Sequence, residues 1–194
     1  MIRTDMSVKE DFSDLYARMP ISVAEKYPDV PAPDPPLSPD ILAARWRSHD
    51  LYGEDMPRIA ADLLEAGHDT PSLRRLAGEV NVRSSSEVEP LVQRVFNELG
   101  VHFPNTQDKA NLIASRQIAR EVISGIRNAW AAANHIEIAV WGWEPRHPIL
   151  EPIFEINDEI DWLPQYRRSL ESLETALLDS FASLARLTDQ ELDR

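Results

Sequence analysis

From Ser38 onward, apolar side chains recur every three or four residues, the spacing of one helix face, and no segment makes a convincing strand. Ser38-Pro39-Asp40 reads as an N-cap, a proline at the first helical position and an acid in the first turn, with Ile41, Leu42, Arg45, Trp46 and His49 following as a short helix. Ile59, Ala60, Leu63 and Leu64 line one face of a second helix, which runs from Pro57 and stops at Gly67, where glycine can take the left-handed conformation that ends a helix. Thr70-Pro71 opens a third through Leu73, Leu76 and Ala77. Ser86-Glu87-Val88-Glu89 has the form of a capping box, followed by Val88, Leu91, Val92, Val95, Phe96 and Leu99 and closed by Gly100. Thr106 starts the longest run, whose stripe passes Leu112, Ala119, Val122, Ile126, Trp130 and Ala133. Gly125, about 1 kcal/mol worse than alanine in a helix, marks the place where that run would bend or break.

Residues 135–143 admit two readings. Ile136, Ile138 and Val140 alternate as in a strand, while Ala133, Ile136 and Val140 continue the preceding helix. Helix is preferred, because a lone strand would have unpaired edges. Ile149, Ile153, Ile156 and Ile160 then form a further helical face, and the last helix uses Tyr166, Leu170, Leu173, Leu177, Phe181 and Leu184. The expected fold is all-α, an irregular bundle of about six to eight helices joined by short loops.

Before Ser38 the pattern changes. Residues 1–27 carry a weak helical spacing in Val8, Phe12, Leu15, Tyr16 and Met19, and prolines occupy positions 28, 31, 33, 35, 36 and 39. Proline fixes φ and lacks a donor, so this stretch is neither helix nor inner strand but extended and stiff, a linker or a strap across the globule. A ligand for a proline-recognition domain is the other use of such a stretch. The organisation expected is a Pro-rich arm over 1–40 and a single helical domain over 41–194.

With 194 residues, 43% hydrophobic and 27% charged, the chain is large enough for a folded core. It has no cysteine, which removes disulfides, zinc thiolate sites and thiol catalysis. Acids outnumber bases 33 to 20, for a net charge of −13, which argues against gripping a nucleic-acid backbone. No stretch approaches a membrane span, and Met1–Glu10 mixes Arg3, Asp5, Lys9 and Glu10 where a signal core would be apolar, so a cytoplasmic protein is expected. Seventeen of the 20 basic residues are arginine, as in proteins from GC-rich bacterial genomes.

The run Gly67-His68-Asp69-Thr70-Pro71-Ser72-Leu73-Arg74-Arg75-Leu76-Ala77-Gly78 resembles the G-x-D-[ST]-P-x-L-R-x-L-A-G signature of small, mostly actinobacterial helical proteins of unknown function. The resemblance continues through Ile118-Ala119-Arg120-Glu121-Val122, Trp130 and the acidic stretch from Pro152 to Trp162, covering about residues 38–187. It implies a helical fold, no activity and no catalytic residues. The signature itself reads as structural: Gly67 ends a helix, Asp69 or Thr70 caps the next, and Leu73 and Leu76 point inward.

Candidate chemistry is sparse. There is no nucleophile elbow, phosphate loop, dinucleotide fingerprint or zinc-protease helix. The Ser84-Ser85-Ser86 run leads into a helix cap. Glu-x-x-His occurs as Glu65/His68 and Glu144/His147, a spacing that di-iron bundles use, but Gly67 and Pro145 interrupt the two copies. His135 and Glu137 would share a side only if extended, and Trp141 and Trp143 read as core or interface residues. No catalytic residue, metal or cofactor is therefore expected.

Charge carries more information. Residues 149–194 hold 11 acids against 4 bases, and Glu151, Glu155, Asp158, Glu159 and Asp161 have no basic residue between Arg146 and Arg167. Glu151, Glu155 and Asp158 fall on one side of a helix whose other side is isoleucine, where like charges repel unless a cation relieves them. The expectation is an acidic, non-enzymatic protein-interaction protein, of inhibitor or immunity type, covering a basic partner such as a nuclease toxin through those five residues. Two alternatives remain: a self-associating scaffold, such as a homodimer, using the 165–187 helix and the tryptophans, or an enzyme in which Glu144, His147 or His135 converge around a cavity.

Overall fold

The computed structural model describes residues 13–140, 147–160 and 169–192. These residues are all-α, as the periodicity predicts, with no strand among them. In chain order the helices are α1 (Ser13–Ala17), α2 (Pro39–Arg47), α3 (Met56–Glu65), α4 (Pro71–Ala77), α5 (Ser85–Glu98), α6 (Gln107–Ile123), α7 (Ala129–Val140), α8 (Glu151–Ile160) and α9 (Leu170–Ala185). Eight of these lie in the predicted globule, and α1 belongs to the arm. Residues 135–140 are helical, while Trp141 and Trp143 lie outside the described residues.

Two of the predicted caps form as the sequence places them, while Ser38 heads α2 without a side-chain cap bond. The Thr70 and Thr106 hydroxyls accept from the backbone N–H of Leu73 (3.2 Å) and Lys109 (3.1 Å), satisfying donors that a helix start leaves open. One cap is displaced. α5 begins at Ser85 with Ser84 as its N-cap, two residues ahead of the predicted box, and Glu87 reaches back to the Arg83 N–H at 3.1 Å. Ser84 makes no side-chain cap bond, and the Ser85 hydroxyl accepts the Gly53 N–H at 3.0 Å, which ties the helix start to the turn before α3. Pro90 consequently sits inside α5.

The long run after Thr106 breaks at Gly125, which has φ +77°. The N–H groups of Gly125 and Ile126 return to the carbonyls of Val122 (3.0 Å) and Glu121 (2.8 Å), the paired bonds of a Schellman turn. Asn128 then starts α7 by accepting from the Ala131 N–H (2.9 Å), while its amide donates to the Leu15 and Arg18 carbonyls at the end of α1.

Two apolar clusters result. One gathers α6 to α9, with Trp130, Ile136, Ile153, Leu177 and Phe181 at its centre. The other gathers α2 to α5 around Leu63, Leu73, Leu76, Val92 and Phe96. α2 packs along α6 and joins them. The arm is a strap and not a free tether: Leu15 and Tyr27 are buried in the first cluster, and the Val23 N–H donates to the Ile123 carbonyl at 3.0 Å. The Tyr27 hydroxyl donates to Asp179 (2.6 Å), and Arg186 grips Asp29 through two nitrogens at 2.6 and 2.8 Å.

A Cβ on Gly125 would strike the backbone nitrogen of Ser22 and come within 2.7 Å of its Cα, whereas one on Gly100 (φ +74°) meets nothing within 4 Å. Gly100→Ala should therefore cost about 1 kcal/mol in a urea titration, from the left-handed backbone alone. Gly125→Ala should cost about 1–3 kcal/mol more, because the strap must lift, and should speed proteolysis within residues 18–27. Equal losses for the two variants would show that the strap is not held there.

Candidate functional site

α8 turns its isoleucines inward because its two sides differ completely. Ile153, Ile156 and Ile160 are buried with Phe154 and Asn157, and the helix lies against α7 and α9. The Asn157 amide donates to Glu137 Oε2 at 2.7 Å and sets the rotation of α8 against α7. Glu151, Glu155 and Asp158 are consequently exposed on the outer flank. Glu159 is half-buried and engaged in an interaction of its own, and Asp161 lies outside the described residues.

Some carboxylates elsewhere are held by arginines. Asp29 is held by Arg186, Asp34 by Arg120 (3.2 Å), Asp69 by Arg74 (2.5 Å), Glu121 by Arg127 (2.5 Å) and Asp189 by Arg116 (2.8 Å). Hydrogen bonds from these arginines hold the Asp29 and Asp69 carboxyls below their ordinary range. Among the described residues, no basic group is paired with Glu151, Glu155 or Asp158.

The other sequence candidates are dispersed. Glu65 ends α3 on the surface, and His68 lies beyond the Gly67 turn. His147 accepts the Ile149 N–H on Nδ1 at 3.3 Å in the turn before α8, while Glu144 lies outside the described residues. On helical α7, two residues apart means nearly opposite sides, so His135 goes to Asp50 while Glu137 goes to Asn157. The apolar stripe of α9, including Leu173, Leu177 and Phe181, is fully buried inside the protein. Among the described residues, no three acids or histidines gather as metal ligands would.

One constellation was not legible beforehand. Asp50, 4% exposed at its side chain, receives the His135 Nε2–H at 2.5 Å and the Arg45 Nε–H at 2.6 Å. Its place follows from the end of α2, where the His49 and Asp50 N–H groups return to the Trp46 and Arg45 carbonyls at 3.2 and 2.9 Å. Ser48, Asn111 and Ser115 line a cavity of about 10 Å³ beside it, room for about one water and no substrate. The arrangement is a buried clasp between α2 and α7. Only the Arg45-to-Asp50 spacing was visible in the sequence, since His135 is 85 positions away.

Burial pushes the Asp50 carboxyl up, but the His135 hydrogen bond and the charge and hydrogen bond of Arg45 together outweigh it, leaving the group below its ordinary value. Because the folded value is the lower one, the clasp stabilises the fold above the unfolded carboxyl's range, about pH 4, and that stability is lost as pH falls through the folded value. Asp50→Asn should cost about 2 kcal/mol at pH 7 by chemical denaturation, with the gap to wild type closing as the pH is taken below about 4. A pH-independent gap would remove ionised Asp50 from the account. In comparisons with protein family models, with curated proteins and with solved structures, nothing matches this chain.

Proposed function

We propose that this chain is a protein-interaction protein, of inhibitor or immunity type, whose α8 flank covers a basic protein partner such as a nuclease toxin. The observation that carries the reading is the row itself: Glu151, Glu155 and Asp158 stand exposed along one flank of α8, and no described basic group is paired with any of them. Repulsion along such a row costs a few tenths of a kcal/mol per pair, which an approaching cation would recover. The row is also rigid. Ile153, Ile156 and Asn157 anchor α8 from behind, so little freedom is lost when a partner docks. A protein of net charge −13 would in addition steer a basic partner from a distance, and most strongly at low ionic strength.

The test uses the basic protein encoded beside this one. The two should form a complex that weakens steeply between about 50 and 500 mM salt, where the screening length falls well below 10 Å. Joint replacement Glu151→Lys, Glu155→Lys and Asp158→Lys should leave the helical circular dichroism unchanged and weaken the complex at least about tenfold. Glu65→Lys, on a surface acid away from α8, should have little effect. Absence of a complex at low salt, or one indifferent to the triple replacement, would overturn the reading.

A further inference from the structure

On the opposite side of the α2–α6 junction, in the second apolar cluster, the end of α2, one face of α5 and the loop after α5 enclose an open hollow of about 420 Å³. α2 contributes Trp46 and Arg47, with His49 one residue past its C-cap. α5 contributes Glu89, and the loop contributes His102 and Phe103. The size is within the range of small-ligand sites, about 300–1,000 Å³.

Three features distinguish this hollow from ordinary surface. Arg47 and Glu89 face it without pairing to each other or to any other described residue, although most arginines here are taken up in ion pairs or carbonyl bonds. His49 has φ +60°, a left-handed conformation costly to a side-chain-bearing residue, and its imidazole makes no hydrogen bond to a described residue. The equivalent positions after α3, α5 and α6 hold Gly67, Gly100 and Gly125, the residues that geometry favours. A histidine kept where glycine suits the backbone serves something other than the turn. Lastly, two aromatic surfaces are presented: Trp46 is half-buried, and Phe103 is fixed edge-on against Phe96 with centroids 5.1 Å apart.

The hollow therefore offers an anion-binding side, a separate carboxylate and flat apolar walls. We propose that it binds a small zwitterion with a flat side group, of the class of an aromatic α-amino acid. The ligand's carboxylate meets the Arg47 guanidinium and the N–H groups of His49 and His102. Its ammonium meets Glu89, and its ring lies against Trp46 and Phe103. The site is independent of the α8 flank, so either reading can fail without the other.

The test titrates the full-length protein, labelled for NMR, with L-phenylalanine, 3-phenylpropionate and phenethylamine, which carry both charges, only the negative and only the positive one. Phenylalanine should shift the Trp46 indole and His102 signals saturably, with a dissociation constant in or below the low millimolar range, about 1 mM, and the two single-charge probes should bind at least about tenfold more weakly. Arg47→Ala and Glu89→Gln, both exposed and safe for folding, should each weaken phenylalanine about tenfold. His49→Gly should weaken it too while raising the thermal midpoint, since glycine relieves the backbone. No saturable shift up to about 10 mM, equal binding of all three probes, unchanged affinity in Arg47→Ala and Glu89→Gln, or a lower midpoint in His49→Gly would each overturn the proposal.

Discussion

The structure turns on α6, a helix covered on several sides that nonetheless buries a polar row. Gln117, 3% exposed, accepts the Asp34 N–H on its carbonyl oxygen and donates its amide to the Asp34 carbonyl, both at 3.0 Å. A helix side chain thus supplies the two bonds that a neighbouring strand would supply, to a strap whose prolines could never join a sheet. One turn around, Arg116 and Arg120 donate to the Leu187 (2.9 Å) and Ala185 (3.2 Å) carbonyls at the C-terminal end of α9, where the helix dipole is negative. Burial, followed by the Arg116 charge, lowers the Arg120 value, and Asp34 and Asp189 partly offset this. Without those carbonyls and carboxylates, two nearly buried cations four residues apart would be untenable.

From that arrangement the rest follows in order. With α9 held at its end and the strap laid over it, Leu173, Leu177 and Phe181 form a floor on which α7 and α8 rest. α8 then has one apolar side to bury and one acidic side to leave in water. The second cluster is attached through α2, whose final turn carries the Asp50 clasp to His135. The same final turn, continued by one residue in the left-handed conformation, places His49 beside the hollow. A single helix end thus holds the two clusters together on one side and shapes a cavity on the other.

The distribution of ion pairs also separates structural charge from available charge. Surface pairs such as Asp69–Arg74 add little stability, typically no more than about 1 kcal/mol. The α8 flank, Arg47 and Glu89 make no ion pair among the described residues, and the two functional proposals rest on them.

Local chemistry was legible from the sequence: helical periodicity, Thr70 and Thr106 as caps, Gly67 and Gly100 as stops, and the inward isoleucines of α8. Each is a relation between residues at most a turn or two apart, which the helix repeat converts directly into a shared face or a closed end. The break at Gly125 was legible as a weakness, but its outcome depended on Ser22, one hundred residues earlier, lying where a side chain would have to go. The start of α5 lies two residues ahead of its sequence signal, and its Ser85 hydroxyl is engaged by the N–H of Gly53, thirty-two positions away. The packing of the arm, the Asp50–His135 clasp and the long-range pairs Asp29–Arg186, Asp34–Arg120 and Asp189–Arg116 were decided by tertiary structure alone. Hydrogen bonds and ion pairs act over about 3 Å of space, and no spacing along the chain records which distant groups the fold will bring that close.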